Sequence, residues 1–135
     1  MRRIEVFFYG LFMDESLLRE KGLSPEGRRP ARVENFRLVV GARATLVPCE
    51  GAEAHGIIYS LTHAEVDALY SDASVNAYRP EAVRARLSDG SGVPALCFNL
   101  PAPPATDEHD PLYASKLRQL AARLGLPHDY VASIL

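Results

Sequence analysis

Hydrophobic and polar positions near the start of the chain predict a buried strand followed by a short helix. Residues 4–9 are rich in residues that favour β-structure, and Gly10 ends this run. Residues 14–21 carry Leu17 and Leu18 among charged side chains and stop at Gly22, a pattern typical of a short helix. The chain therefore opens with a strand, a glycine bend and a helix.

The middle of the chain is dominated by extended segments. We expect residues 27–30 to form a loop, and residues 31–40 and 44–47 to be extended. Glu50-Gly51 is a turn signal, and residues 55–61 are the clearest strand. Thr62, with Glu65 three residues later, predicts a capping box that begins a helix ending near residues 70–72.

The last part of the chain predicts a hairpin and then helices. Residues 78–87 are predicted to form a strand. A turn at residues 89–92 connects it to a second strand over residues 93–100, so that the two form a hairpin. Residues 101–111 are rich in proline and acidic residues, so we expect an irregular crossing or a mobile loop; whether it acts as a lid stays open. Residues 112–124 predict an amphipathic helix closed by Gly125, and Pro127 opens a final helical turn.

The order of these elements indicates the fold class. Antiparallel hairpins outnumber any βαβ unit, so we expect an α+β fold built on a closed or nearly closed sheet. The chain has 135 residues and shows no internal repeat or linker. A single domain over residues 1–135 is therefore expected.

Charge and composition narrow the range of partners. The net charge of −2 gives no electrostatic reason to expect nucleic acid or an anionic membrane. The apolar run over residues 4–11 is too short to span a bilayer, so the cytoplasm is the expected location. Cys49 and Cys97 are expected to be free thiols or buried small apolar residues, because a disulfide scaffold would need more cysteines in so short a chain. The histidines and cysteines show no metal-ligand spacing and no glycine-rich phosphate loop is present, so neither a metal nor a cofactor is expected.

Three segments, in their order along the chain, carry a resemblance to a known family. A strand runs into Tyr9-Gly10-Leu11, Ala-Thr-Leu-Val-Pro at residues 44–48 is followed by residues 55–61, and the chain closes with Gly-Leu-Pro-His-Asp-Tyr-Val at residues 125–131. Together they resemble the γ-glutamylcyclotransferase-like family, the group of AIG2-like proteins and γ-glutamylamine cyclotransferases. The resemblance implies a small mixed β-barrel with short flanking helices.

The resemblance also implies a reaction and a set of substrate contacts. Enzymes of this family cleave a γ-glutamyl amide by attack of the substrate's own α-amine on its γ-carbonyl, which releases 5-oxoproline. The protein must fold the substrate, hold its α-carboxylate and move protons, for which one carboxylate of raised pKa is enough. The residues expected to contact substrate are Tyr9, Gly10, Leu11, Phe12, Met13 and Tyr78.

The sequence departs from the family pattern where the catalytic glutamate belongs, because that position falls on Ala73. Two other carboxylates are candidates for the acid/base. Asp72 is adjacent, and Glu81 has the strand parity expected of a side chain that faces the interior. Each candidate has a structural alternative: Asp72 as a turn residue, and Glu81 as the partner of an arginine such as Arg43 or Arg79.

Three functions remain open at this stage. The protein is an enzyme with a relocated acid, or a binding protein that keeps the pocket without turnover, or an interaction domain whose pocket is filled by Phe12 and Met13. The expected partner is a small molecule, with γ-glutamyl compounds as candidates, and the oligomeric state stays open. An open cavity beside a carboxylate favours the enzyme, an open cavity without one favours the binding protein, and a filled cavity favours the third.

Overall fold

A closed β-barrel forms the centre of the molecule. The computed structural model describes residues 2–105 and 108–134, and within these residues five strands close in the order β1-β3-β2-β4-β5. The strands are β1 (Arg3–Phe8), β2 (Glu26–Val40), β3 (Ala44–Thr62), β4 (Arg79–Leu87) and β5 (Gly92–Asn99). The bounds of β1, β4 and β5 differ from the predicted ones by one residue at most. Strands β2 and β3 contain the predicted extended segments and also residues 26–30 and 48–54, which the sequence did not predict to be extended.

Strand pairing makes the barrel a mixed one, as predicted. The hairpins β2–β3 and β4–β5 are antiparallel, and β1 is antiparallel to β3. The barrel closes because β1 also pairs with β5 in parallel, with Val6 opposite Leu96. Strands β1 and β5 therefore finish at the same end of the barrel, and their carboxyl ends meet there.

Short helices flank the barrel: α1 (Glu15–Glu20), α2 (His63–Tyr70), α3 (Pro111–Arg123) and α4 (His128–Ser133). A single 3₁₀ turn, Leu11–Met13, connects β1 to α1. The predicted capping box is confirmed, because the Thr62 side chain accepts from the Glu65 N–H while the Glu65 carboxylate accepts from the Thr62 N–H. Gly125, with φ +81°, follows α3, as expected of a glycine that ends a helix.

Two expectations about breaks in the sheet are wrong. Residues 27–30 lie inside β2, where a register shift accommodates the positive φ of Gly27. Glu50-Gly51 lies inside β3, because Asn35 alone faces residues 49–52 in a bulge. Asn35 and Gly51 both have positive φ, and the Gly51 N–H donates to the Asn35 side-chain oxygen at 3.0 Å. The glycines therefore mark bulges in continuous strands, not a loop and a turn.

Alternation along the strands sorts apolar side chains into two buried clusters. The first fills the barrel and comes from the strands and from Tyr9, which directly follows β1: Phe7, Tyr9, Ala31, Val33, Ala44, Leu46, Ala54, Ile58, Ala85, Ala95 and Cys97. The second lies between the outer face of the barrel and the helices, and includes Phe8, Met13, Leu18, Tyr59 and Leu117. The many alanines in the first cluster suit the narrow interior of a five-stranded barrel.

The segment after β5 is irregular where the structure describes it. Residues 101–105 and 108–110 belong to no helix or strand, as the sequence predicts, and residues 106–107 lie outside the described part. No helix among the described residues has the length and apolar character that crossing a bilayer would need.

Candidate functional site

A cavity of about 340 Å³ opens where β1 and β5 finish. Its walls come from the end of β1, the 3₁₀ turn, α1, the β2–β3 turn, the end of α2, the segment before β4, the end of β5 and the start of α3. The aromatic lining residues are Phe7, Phe8, Tyr9, Phe12, Tyr70, Tyr78, Phe98 and Tyr113. The other lining residues are Gly10, Leu11, Leu17, Lys21, Arg43, Ala44, Ser74 and Val75.

Most of the substrate contacts expected from the sequence lie in this lining. Tyr9, Gly10, Leu11, Phe12 and Tyr78 all border the cavity. Met13, expected beside them, is instead buried in the core outside the barrel, where its carbonyl accepts from the Tyr59 hydroxyl at 2.8 Å. The 3₁₀ turn explains the difference, because its three residues point in different directions from the helix axis.

Tyr70 is the centre of the aromatic wall. Its ring lies 3.9 Å from the ring of Phe98 at an angle of 13°, a stacked pair. The rings of Phe12 and Tyr78 lie 6.0 Å and 6.3 Å from it, in edge and tilted orientations. Sequence reasoning did not assign Tyr70 to the site. The available signal was its position three residues before Ala73, where the resemblance places the catalytic segment.

The tyrosine hydroxyls of the cavity are hydrogen-bond donors and not bases. The hydroxyls of Tyr9 and Tyr78 donate to the carbonyls of Phe98 and Ala44. Burial raises the pKa of Tyr78 to about 12 and raises the pKa values of Tyr9 and Tyr70 further. All three stay protonated at neutral pH. The Tyr70 hydroxyl makes no hydrogen bond to any residue that the structure describes, so its proton is available to a ligand.

Two cationic side chains complete the lining. The Lys21 ammonium lies 5.9 Å from the centre of the Phe12 ring, and the Arg43 guanidinium lies 5.9 Å from that of Tyr78. Within residues 2–105 and 108–134, neither forms an ion pair with a carboxylate. No aspartate or glutamate of these residues lines the cavity either. The cavity therefore has aromatic walls and is bordered by two exposed cationic side chains.

Glu81 lies at the rim of the barrel, outside the cavity lining. The first four residues of β4 are exposed, so the parity that buries Ala85 does not bury Glu81. Its carboxylate accepts from the side-chain amide of the buried Asn99 at 2.8 Å. The partner of Glu81 is thus an asparagine and not Arg43 or Arg79, the arginines suggested by the sequence.

Asp72 and Ala73 also lie outside the lining. Asp72 is fully exposed and accepts from the hydroxyl and N–H of Ser74 at 2.6 Å and 2.9 Å. These hydrogen bonds hold the pKa of Asp72 below its ordinary value. Asp72 is therefore an ionised turn residue at neutral pH, directed at its own turn.

The cysteines and histidines provide no alternative chemistry in this region. Cys97 lies inside the barrel, where burial, and then the charge of Glu81, raises the pKa of its thiol to about 12. The thiol is protonated at neutral pH and is a poor nucleophile. Among the described residues, no group of histidine, cysteine and acidic side chains has an arrangement that could hold a metal ion.

The barrel and its cavity define a class, small mixed barrels with a cavity at one end. The chain belongs to the γ-glutamyl cyclotransferase, AIG2-like family, whose model matches residues 6–117. This confirms the family that the sequence segments indicate. No curated protein sequence matches the chain.

Several solved structures share the fold. One described as a γ-glutamyl cyclotransferase superposes with a TM-score of 0.82 at 17% identity, covering 99% of this chain and 89% of that chain. An uncharacterized protein from Homo sapiens gives 0.80 at 18% identity, covering 100% and 89%. YkqA from Bacillus subtilis gives 0.77 at 21% identity, covering 98% and 52%. At these identities the likeness shows the fold and not the activity.

Proposed function

We propose that this protein is a member of the family that binds a small molecule in its cavity and does not release 5-oxoproline. The observation that carries the proposal is an open cavity, bordered by the segments expected to contact substrate, without a carboxylate among its described lining residues. An open cavity also argues against an interaction domain filled by Phe12 and Met13, since Phe12 lies in the wall and Met13 lies behind it.

The expected reaction depends on a group that can accept a proton. The substrate's ammonium must lose a proton before its nitrogen can attack, and the leaving amine must gain one. The ammonium of Lys21 and the guanidinium of Arg43 offer donors and no acceptor, and the cavity tyrosines stay protonated. Loss of a general base typically lowers the rate by about 10²–10⁴-fold. The lining that remains is suited to binding.

The competing proposal is an enzyme that uses Glu81 in place of the missing glutamate. Its carboxylate is hydrogen-bonded to Asn99 and lies outside the lining, so it would need to leave this partner to reach a bound amine. That requirement favours the binding protein, and the two proposals differ in the result of one assay.

The assay measures 5-oxoproline release from γ-glutamyl amines and γ-glutamyl amino acids. We expect no release by the natural protein or by Glu81→Gln, and we expect release when Ala73→Glu introduces a carboxylate at the position that the resemblance assigns to the catalytic glutamate. Ala64→Glu, the same substitution at an exposed position of α2, is the matched control and should remain inactive. Turnover by the natural protein that disappears in Glu81→Gln would instead establish a cyclotransferase with a relocated acid.

A further inference from the structure

We propose that the cavity binds a compact aromatic carboxylic acid, with the ring against the aromatic wall and the carboxylate on Arg43. This inference rests on the proposed function, because it names the ligand class of the same site.

The walls favour an aromatic body. Phe12, Tyr70, Tyr78 and Phe98 all line the same cavity, and the rings of Tyr70 and Phe98 are stacked at 3.9 Å. Aromatic rings prefer offset-stacked or edge-to-face neighbours, which such a wall can provide. The volume of about 340 Å³ is at the lower end of the usual range for ligand sites, so it suits one or two fused rings better than a peptide.

The charges favour an anion. A cavity of aromatic rings alone would also suit a quaternary ammonium ion. Here Lys21 and Arg43 border the same rings, and the described lining holds no carboxylate to balance them. Both cations attract a carboxylate and repel an ammonium group. The α-ammonium of a γ-glutamyl compound is therefore repelled in the natural cavity, a repulsion that the carboxylate of Ala73→Glu would offset, whereas an acid without an amino group meets none.

Arg43 is the better of the two cations for holding the carboxylate. Its guanidinium presents five N–H donors in a planar fork that matches a carboxylate in two parallel hydrogen bonds. In the described part of the chain, no side-chain or backbone oxygen accepts a hydrogen bond from it. Its position over the ring of Tyr78 places this fork at the aromatic wall. The hydroxyl of Tyr70 is a further free donor in that wall.

Calorimetric titration with a matched pair of probes tests the inference. The probes are 2-naphthoate and 2-naphthamide, which share a ring system and differ in charge. We expect the natural protein to bind the acid at least about tenfold more tightly than the amide, as a charge-assisted hydrogen bond implies. Arg43→Gln should remove this difference. Arg28→Gln, at an exposed arginine outside the lining, should preserve it.

Different outcomes separate this inference from the proposed function. Equal affinity for the two probes, or no binding of either, would overturn the ligand class. The same titration with γ-glutamyl methylamide, combined with the 5-oxoproline assay, provides the second arm. Binding of that compound without turnover, and without naphthoate binding, would overturn the ligand class and leave the non-catalytic function standing. Turnover of it would overturn the non-catalytic function, whatever the naphthoate result.

Discussion

The ring of Tyr70 lies flat against the ring of Phe98, with centroids 3.9 Å apart and 13° between the planes. Tyr70 is the last residue of α2, and Phe98 is the residue before the last one of β5. The pair therefore joins the end of a helix to the end of a barrel strand, at the cavity. Both rings line the cavity, so the pair forms part of its aromatic wall.

Tyr70→Leu should both weaken naphthoate binding and destabilise the fold. The substitution removes the stacked pair, which contributes about 0.5–1.5 kcal/mol beyond the burial of its area. Tyr70→Phe keeps the ring and loses only the hydroxyl, so it should retain most of the stability. Thermal unfolding and calorimetric titration of both variants measure the two effects. Equal losses of stability and of naphthoate affinity in the two variants would show that the hydroxyl of Tyr70 matters and that its stacking on Phe98 does not.

The hydrogen bond between Glu81 and Asn99 should be structural. Asn99 is buried, accepts from the Leu46 N–H at 3.3 Å and donates to Glu81 at 2.8 Å. We expect Asn99→Ala to lower the free energy of unfolding by about 1–3 kcal/mol, because it leaves a buried N–H without its acceptor. Glu81→Gln retains an oxygen acceptor and should cost less than Glu81→Ala. Urea unfolding measures these differences, and loss of ligand binding in a stably folded Glu81→Gln would contradict a purely structural role.

Gly56→Ala should be one of the most destabilising small substitutions in the barrel. A Cβ at Gly56 would collide with the carbonyl oxygen of Phe8 and lie 2.9 Å from the ring of Phe7. Backbone cannot move aside without disturbing the β1–β3 pairing, so we expect a loss of about 3 kcal/mol. Gly10→Ala is the control, since its Cβ would meet only the Tyr113 hydroxyl at 3.2 Å, and that side chain can shift. Denaturant unfolding should rank the two in this order, and the reverse ranking would contradict the packing described.

The hydrogen bonds to the Glu65 carboxylate should raise the free energy of unfolding at neutral pH, and this contribution should disappear in acid. Burial alone raises the pKa of Glu65, but the N–H donors of Thr62 and Ser24 outweigh it and hold the pKa below the ordinary 4.5. The unfolded state therefore binds more protons than the folded state as pH falls below that value. The contribution is complete above pH 4.5 and is lost as the pH falls through the folded pKa.

Glu65→Gln should accordingly lower the free energy of unfolding by about 1–2 kcal/mol at neutral pH, and the difference from the natural protein should narrow on acidification. Urea unfolding at a series of pH values measures this narrowing. Glu20→Gln, at an exposed helix residue, is the control and should show a small difference at every pH. A pH-independent difference at Glu65 would mean that its carboxylate charge does not matter.

Much of the fold can be predicted from the sequence where the interactions are local. The start of α2 is correct because the capping box joins Thr62 and Glu65, only three residues apart. The predicted loop at residues 27–30 and the predicted turn at residues 50–51 are wrong, because the partner strand decides whether a glycine ends a strand or occupies a bulge. That partner is Asn35 for Gly51, a contact across the sheet that no local pattern contains.

The order of the elements and the family follow from the sequence by itself, and so does the expectation that Ala73 stands where the family has its catalytic glutamate. The sequence also placed Tyr9, Gly10, Leu11, Phe12 and Tyr78 beside the cavity, although only through the resemblance. Tertiary structure alone decided that Lys21, Arg43, Tyr70, Phe98 and Tyr113 join them and that Glu81 and Asp72 do not. The physical reason is barrel closure: the parallel pairing of β1 with β5 gathers side chains from segments distant in sequence, and their charges and rings border one cavity only there.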